Sequence, residues 1–149
     1  MIDQMIVSIV ATIAFAVLFY VPKKEYLFCG INGAIGWGVY LFCRSYGTGV
    51  TVASMWAALV LTLVARIMSA IRKMPSTVFL ITGIFTLVPG AGLYYTSYYL
   101  IMNDLERCIE KGIETFKIAG AIVLGIIFGL ILPQSWFNYL SKITIKRKG

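Results

Sequence analysis

Five apolar runs, each about as long as a membrane crossing, leave this chain few ways to fold. They cover residues 2–21, 26–43, 50–71, 77–102 and 116–132. A hydrocarbon core of roughly 30 Å takes about 20 helical residues to cross. In lipid the backbone N–H and C=O groups must find partners within the protein, so such runs cross as helices. The chain has 149 residues, 60% of them hydrophobic, and a mean hydropathy of +0.88. A soluble domain of that size could not cover so much apolar surface. The expectation is an all-α polytopic membrane protein with about five transmembrane helices, residues 1–149 forming a single integral membrane domain in the lipid bilayer.

Charged residues fall mostly between the runs and orient them. Lys23 and Lys24 follow the first run, and Arg66, Arg72 and Lys73 end or follow the third. Lys142, Lys146, Arg147 and Lys148 follow the fifth. With an odd number of crossings all three basic clusters share one side, which the positive-inside rule makes the cytoplasm. The N-terminus is then outside and the C-terminus inside. The net charge of +7 therefore reads as topology, and no nucleic-acid partner is expected. The start "MIDQ" carries no basic n-region, so no cleavable signal is read there. Cys29, Cys43 and Cys108 are odd in number, and the chain has no His. Neither a disulfide framework nor a metal site nor a cofactor is expected from them, and they read as small packing residues.

Between the fourth and fifth runs lies a mixed-charge segment with Glu106, Glu110 and Glu114 at helical spacing, and Arg107 and Lys111 alongside. It could be an acidic strip at a pathway mouth. The favoured reading is a solvated helical connector with i, i+3 pairs Arg107–Glu110 and Lys111–Glu114.

Within the runs, small residues recur every four positions. Gly30, Ala34 and Gly38 share one helix face, and Ala121, Gly125 and Gly129 share another. Such faces let helix backbones approach closely in lipid, where packing replaces the hydrophobic drive. Whether the contacts lie within one chain or in a homo-oligomer is open at this stage. Asn32 must find a partner inside the membrane, as an interhelical hydrogen bond or as a substrate contact.

The fourth run carries the most unusual local sequence, "GIFTLVPGAGLYYTSYYLIMND". Pro89 removes an N–H and its ring clashes with the carbonyl one turn back, while Gly90 and Gly92 ease unusual backbone angles. The expectation is a fourth helix broken at Pro89–Gly90, although a plain proline kink is the simpler alternative. Freed backbone groups are tolerable only against protein or a watery cavity. Broken helices of transporters use such points to offer N–H groups to an anionic substrate group. Tyr94, Tyr95, Thr96, Ser97, Tyr98 and Tyr99 add more hydroxyls than interfacial anchoring needs. Candidate substrate contacts are thus Pro89, Gly90, Gly92, Tyr94, Tyr95, Thr96 and Asn32. No ionisable residue occupies the middle of any run, so a coupling carboxylate must sit at a run's end, as Asp104 does, or on another chain.

From "MPSTVFLITGIFTLVPGAGLYYTSYYLIMNDLERCIEKGIETFKIAGAIVLG" the chain resembles the membrane domain of the threonine/serine exporter family, and "VPKKEYLFCGINGAIGW" fits the same pattern. It is similar to the small, separately encoded subunit, which corresponds to the second five-span module of fused exporters. The resemblance implies export of small polar amino acids, or in some relatives a dicarboxylate, across the bacterial cytoplasmic membrane. It also implies a larger homologous partner subunit, the two modules forming inverted repeats around a shared site. The acidic position after the break is carried by Asp104, preceded by Asn103 where a Gly is expected. Two other classes stand against this reading. One is a non-transporting membrane scaffold. The other is a membrane enzyme, for which a catalytic constellation is hard to assemble with no His, no metal-ligand cluster and few carboxylates.

Overall fold

A computed structural model describes residues 2–135 together with Phe137, Tyr139 and Lys142. Of the C-terminal basic cluster, Lys146, Arg147 and Lys148 lie outside the described residues. Among the described residues there are six α-helices and no strand: α1 (Ile2–Leu18), α2 (Tyr26–Ser45), α3 (Val50–Arg72), α4 (Ser76–Ile84), α5 (Gly90–Ile101) and α6 (Leu105–Ile131). Three segments are long and apolar enough to cross a membrane: Lys23–Ser45, Val50–Arg72 and Leu105–Ile131. The apolar α1 is shorter, at 17 residues.

Each helix stops for a local reason. Tyr20 takes the left-handed conformation (φ 55°), and the N–H of Val21 reaches back to the carbonyl of Ala16 at 3.0 Å. Lys73 closes α3 the same way (φ 54°), and Pro75 then precedes α4. The turn from α5 to α6 is the tightest. Asn103 is left-handed (φ 58°), its N–H meets the Leu100 carbonyl, and the N–H of Asp104 meets the Tyr99 carbonyl at 3.0 Å. This 6→1 and 5→2 pair is a Schellman motif. Asn tolerates the left-handed region better than other side-chain-bearing residues, so Asn103 can stand where the resemblance leads one to expect Gly.

The centre of the bundle is α3, which packs most extensively on α6 and then on α2. Ala53, Ala57, Ala58, Leu61 and Ala65 are wholly buried along it. Close approach comes from glycines opposite these small side chains. A Cβ on Gly125 would collide with the Met55 carbonyl oxygen, and one on Gly129 would lie 2.7 Å from Thr62. Gly30 faces Ile9 and Ile13 of α1, Gly38 faces Met5, and Ala34 and Ala121 are buried. Two further close contacts, of Gly33 with Thr12 and of Gly36 with Leu61, escape the four-residue pattern because α2 is packed on two sides.

Buried hydroxyls bond within their own helix: Thr12 to the Ser8 carbonyl, Thr62 to Ala58 and Thr82 to Val78. That arrangement satisfies them where no water is available. Ser8 instead crosses from α1 to the Gly33 carbonyl of α2 at 3.1 Å.

Two arginines tie the bundle's ends. Arg72 grips both oxygens of Glu25 at 2.8 Å and lies 4.4 Å over the Phe28 ring. The Glu25 side chain is 1% exposed. The α1–α2 turn is thereby fixed to the C-terminal end of α3. Arg66 departs from its expected place at the end of a run. It lies inside α3, 6% exposed, and donates to the carbonyls of Gly129 and Leu130 at the end of α6 and to Gln134. A cation fits there because those last carbonyls form the negative end of α6.

The mixed-charge segment also differs from expectation. It is continuous with the last apolar run as one helix of 27 residues, since Asp104 starts the helix cleanly and Glu, Lys and Arg are good helix formers. Lys111 pairs with Glu114 at 2.8 Å as the spacing predicts. Arg107 does not pair with Glu110. It turns to Asp104 at 3.5 Å, because that carboxylate is held at the helix start.

Candidate functional site

The fourth run resolves into α4 and α5 with residues 85–89 between them. As α4 ends, the N–H groups of Thr86 and Leu87 bond to the carbonyls of Gly83 and Ile84, tightening the last turn. Pro89 then adopts φ −75°, ψ 62°, and the N–H of Gly90 folds back on the Val88 carbonyl at 2.7 Å. These are the angles and the i→i+2 bond of an inverse γ-turn. The helix resumes with the Leu93 N–H on the Pro89 carbonyl, and no side chain caps it. Among the described residues the N–H groups of Ala91 and Gly92 have no partner. The Gly90 N–H, by contrast, is already taken by the Val88 carbonyl.

Ala91 and Gly92 line a cavity of about 390 Å³, within the range typical of small-molecule sites. Its walls come from five stretches of the chain. Trp37 and Tyr40 belong to α2, Val50 and Ser54 to α3, and Thr86 to Pro89 to the interruption. Gly90 to Gly92 and Tyr95 begin α5, and Lys111, Glu114, Thr115 and Ile118 come from α6. The Trp37 indole N–H is buried without a partner among the described residues.

Of the residues read from sequence as substrate contacts, Pro89, Gly90, Gly92 and Tyr95 meet at this cavity. The other three are elsewhere. Asn32 is wholly buried and its Nδ2 donates to the Phe79 carbonyl of α4 at 2.9 Å; of the two roles open to it, the geometry fits the interhelical bond. Thr96 bonds the Gly92 carbonyl and faces a second, almost wholly apolar cavity between α5 and α6. Tyr94 is 63% exposed and stacks on Tyr98. Gly92 has a packing duty besides, since a Cβ there would collide with the Thr115 hydroxyl.

Asp104, the candidate coupling group, also sits away from the cavity. Its side chain accepts from the Arg107 N–H at 3.2 Å and caps α6. An Asp at that position satisfies an orphan donor and complements the helix dipole, which accounts for the acid without a transport role. Sequence reasoning missed Lys111 and Glu114, because it placed them on a solvated connector. Their pairing was legible; that the pair faces the α5 start depends on how α6 folds back on α5.

Residues 4–132 match the family model described as Threonine/Serine exporter, ThrE. No solved structure matches the chain.

Proposed function

The chain belongs to the threonine/serine exporter family, whose members are multi-pass membrane transporters rather than enzymes, and from that premise we propose that it is one subunit of an exporter for small polar amino acids in a bacterial cytoplasmic membrane. In this reading residues 1–149 form one membrane domain of five spans. The fourth span is α4 and α5 together, a helix broken at Pro89–Gly90. The two pieces have 9 and 12 residues, about 14 and 18 Å of helix at 1.5 Å per residue. Neither is long enough to cross the core alone, whereas the two placed end to end are.

The observation that carries the reading is the cavity at that interruption. An amino acid brings a carboxylate, and the unpartnered N–H groups of Ala91 and Gly92, at the positive end of α5, are suited to receive it. Tyr95 in the same walls supplies a hydroxyl for the rest of the ligand, whereas the Ser54 hydroxyl is given to the Val50 carbonyl.

A larger homologous subunit completes the pathway in this reading. Its support is α5 itself, which packs chiefly on α6 and buries no residue. Tyr94, Tyr95 and Tyr98 are each more than 40% exposed, and phenol hydroxyls left bare in hydrocarbon are costly. Water or a partner helix suits them better than lipid.

The test is efflux of preloaded threonine and serine from cells carrying the chain with and without the larger subunit, normalised to protein in the membrane. Efflux that requires both chains supports the proposal. Partner-dependent efflux that persists without this chain would make it a scaffold.

A further inference from the structure

We propose that Lys111 and Glu114 recognise the two charges of a zwitterionic amino acid at the cavity beside α5 and thereby discriminate against dicarboxylates. The inference rests on the cavity being the substrate site, and it deepens that reading by naming what selects the substrate.

The argument is one of charge balance. Among the residues lining the cavity, Lys111 is the one Lys or Arg and Glu114 the one carboxylate. Their charged atoms lie 2.8 Å apart, on side chains that are 40% and 51% exposed. The same cavity is lined by Ala91 and Gly92, whose N–H groups have no partner among the described residues. An α-amino acid at neutral pH carries one carboxylate and one ammonium on a single carbon. Entering here, it would part the ion pair and form two in its place. Its carboxylate would bridge Lys111 and the α5 N–H groups, and its ammonium would meet Glu114. No charge is left unmatched, and each protein group exchanges one charge-assisted hydrogen bond for another.

A dicarboxylate meets a different cavity. Its first carboxylate can take the same donors, but its second has no further cation on these walls and faces Glu114. Like charges at short range in a partly desolvated site repel strongly, and discrimination built on repulsion needs no added attraction for the right substrate. Glu114 is therefore the selecting residue, and Lys111 the general anion contact.

The alternative is an ordinary surface i, i+3 pair, which contributes little to stability and nothing to selectivity. Efflux from loaded cells co-expressing the larger subunit separates the two, with threonine and succinate as probes. Glu114→Gln should lower threonine efflux about 10- to 100-fold, the loss of one charge-assisted contact, while succinate efflux does not fall. Glu114→Lys should reverse the preference towards succinate. Lys111→Gln should lower both, and Lys111→Arg should restore much of the loss. Glu110→Gln, an equal change of charge on an exposed residue one turn earlier that does not line the cavity, should leave the ratio unchanged.

An unchanged threonine-to-succinate ratio in both Glu114 variants overturns the inference, and so does an equal change in Glu110→Gln. If threonine efflux persists in those variants, the exporter reading survives that loss. A native pair of chains that moves neither probe sinks both.

Discussion

Gly125 and Gly120 lie on one helix and differ only in what surrounds them. A methyl on Gly125 would run into the Met55 carbonyl and lie 3.0 Å from Ala58, whereas one on Gly120 meets nothing within 4 Å. Gly125→Ala should force α3 and α6 apart and lower the detergent unfolding temperature. Gly120→Ala should leave it unchanged or raise it, since Ala is favoured over Gly by up to about 1 kcal/mol in a helix. Equal effects would show that the α3–α6 contact is not set by Gly125. The Glu25–Arg72 pair gives a second asymmetry. Arg72→Ala strands a buried carboxylate, while Glu25→Gln strands a guanidinium that is 31% exposed and can reach water. Arg72→Ala should therefore be the more damaging, by about 1–3 kcal/mol, the cost of leaving a buried polar group unsatisfied. Asp104→Asn keeps a good N-cap and removes the ionisable group. Stability should hold, and efflux should stay within about twofold if capping is the residue's main task; a large loss of efflux would restore its coupling role.

At the scale of elements, the interruption between α4 and α5 follows from chemistry that single residues dictate. Pro89 has no N–H to donate, and Gly90 has no Cβ to resist the fold back onto Val88. That much is legible in sequence, as are the small faces of α2 and α6, because both depend on residue type at a fixed spacing. The rest is not. Gly33, Gly36 and Arg66 take their roles from the helices laid against them, and no periodicity within α2 or α3 encodes those neighbours. The same is true of Lys111 and Glu114, whose local pairing looks like any solvated one. Pro89→Ala with Gly90→Ala should join α4 to α5 by restoring the i→i+4 bond that Pro89 denies Phe85. A Cβ at position 90 meets nothing within 4 Å, so the double variant should insert and fold. Efflux should then fall at least about tenfold, because helical bonding would take up the donors of Ala91 and Gly92. Near-normal efflux would reduce the proline to a kink and move the carboxylate contact elsewhere.

For the whole molecule, the two arginine clamps bear on how the bundle sits in the membrane. Glu25–Arg72 brings the α1–α2 turn, with Lys23 and Lys24, to the end of α3, and Arg66 brings the end of α6 to the same third of α3. Lys23, Lys24, Arg66, Arg72 and Lys73 thus gather towards one pole together with the end of α6, in keeping with the side that the positive-inside rule assigns to the cytoplasm. At the other pole lie Asp3, the α2–α3 loop with Arg44, and the turn at Asn103–Asp104. The cavity is lined by the first turns of α3 and residues from the first half of α6, so it belongs to this second half. With the N-terminus outside, that half is the outer one. Labelling decides the orientation directly. In a background with Cys29, Cys43 and Cys108 replaced by Ala, Lys24→Cys should react with an impermeant maleimide only after the membrane is opened from the cytoplasmic side. Glu110→Cys, on an exposed side chain next to Lys111 in sequence, should react in intact cells, and externally added threonine should slow that reaction if the cavity is the substrate's exit. Labelling of both positions from one side would remove the five-span arrangement, because α4 and α5 could not then form a single crossing between them.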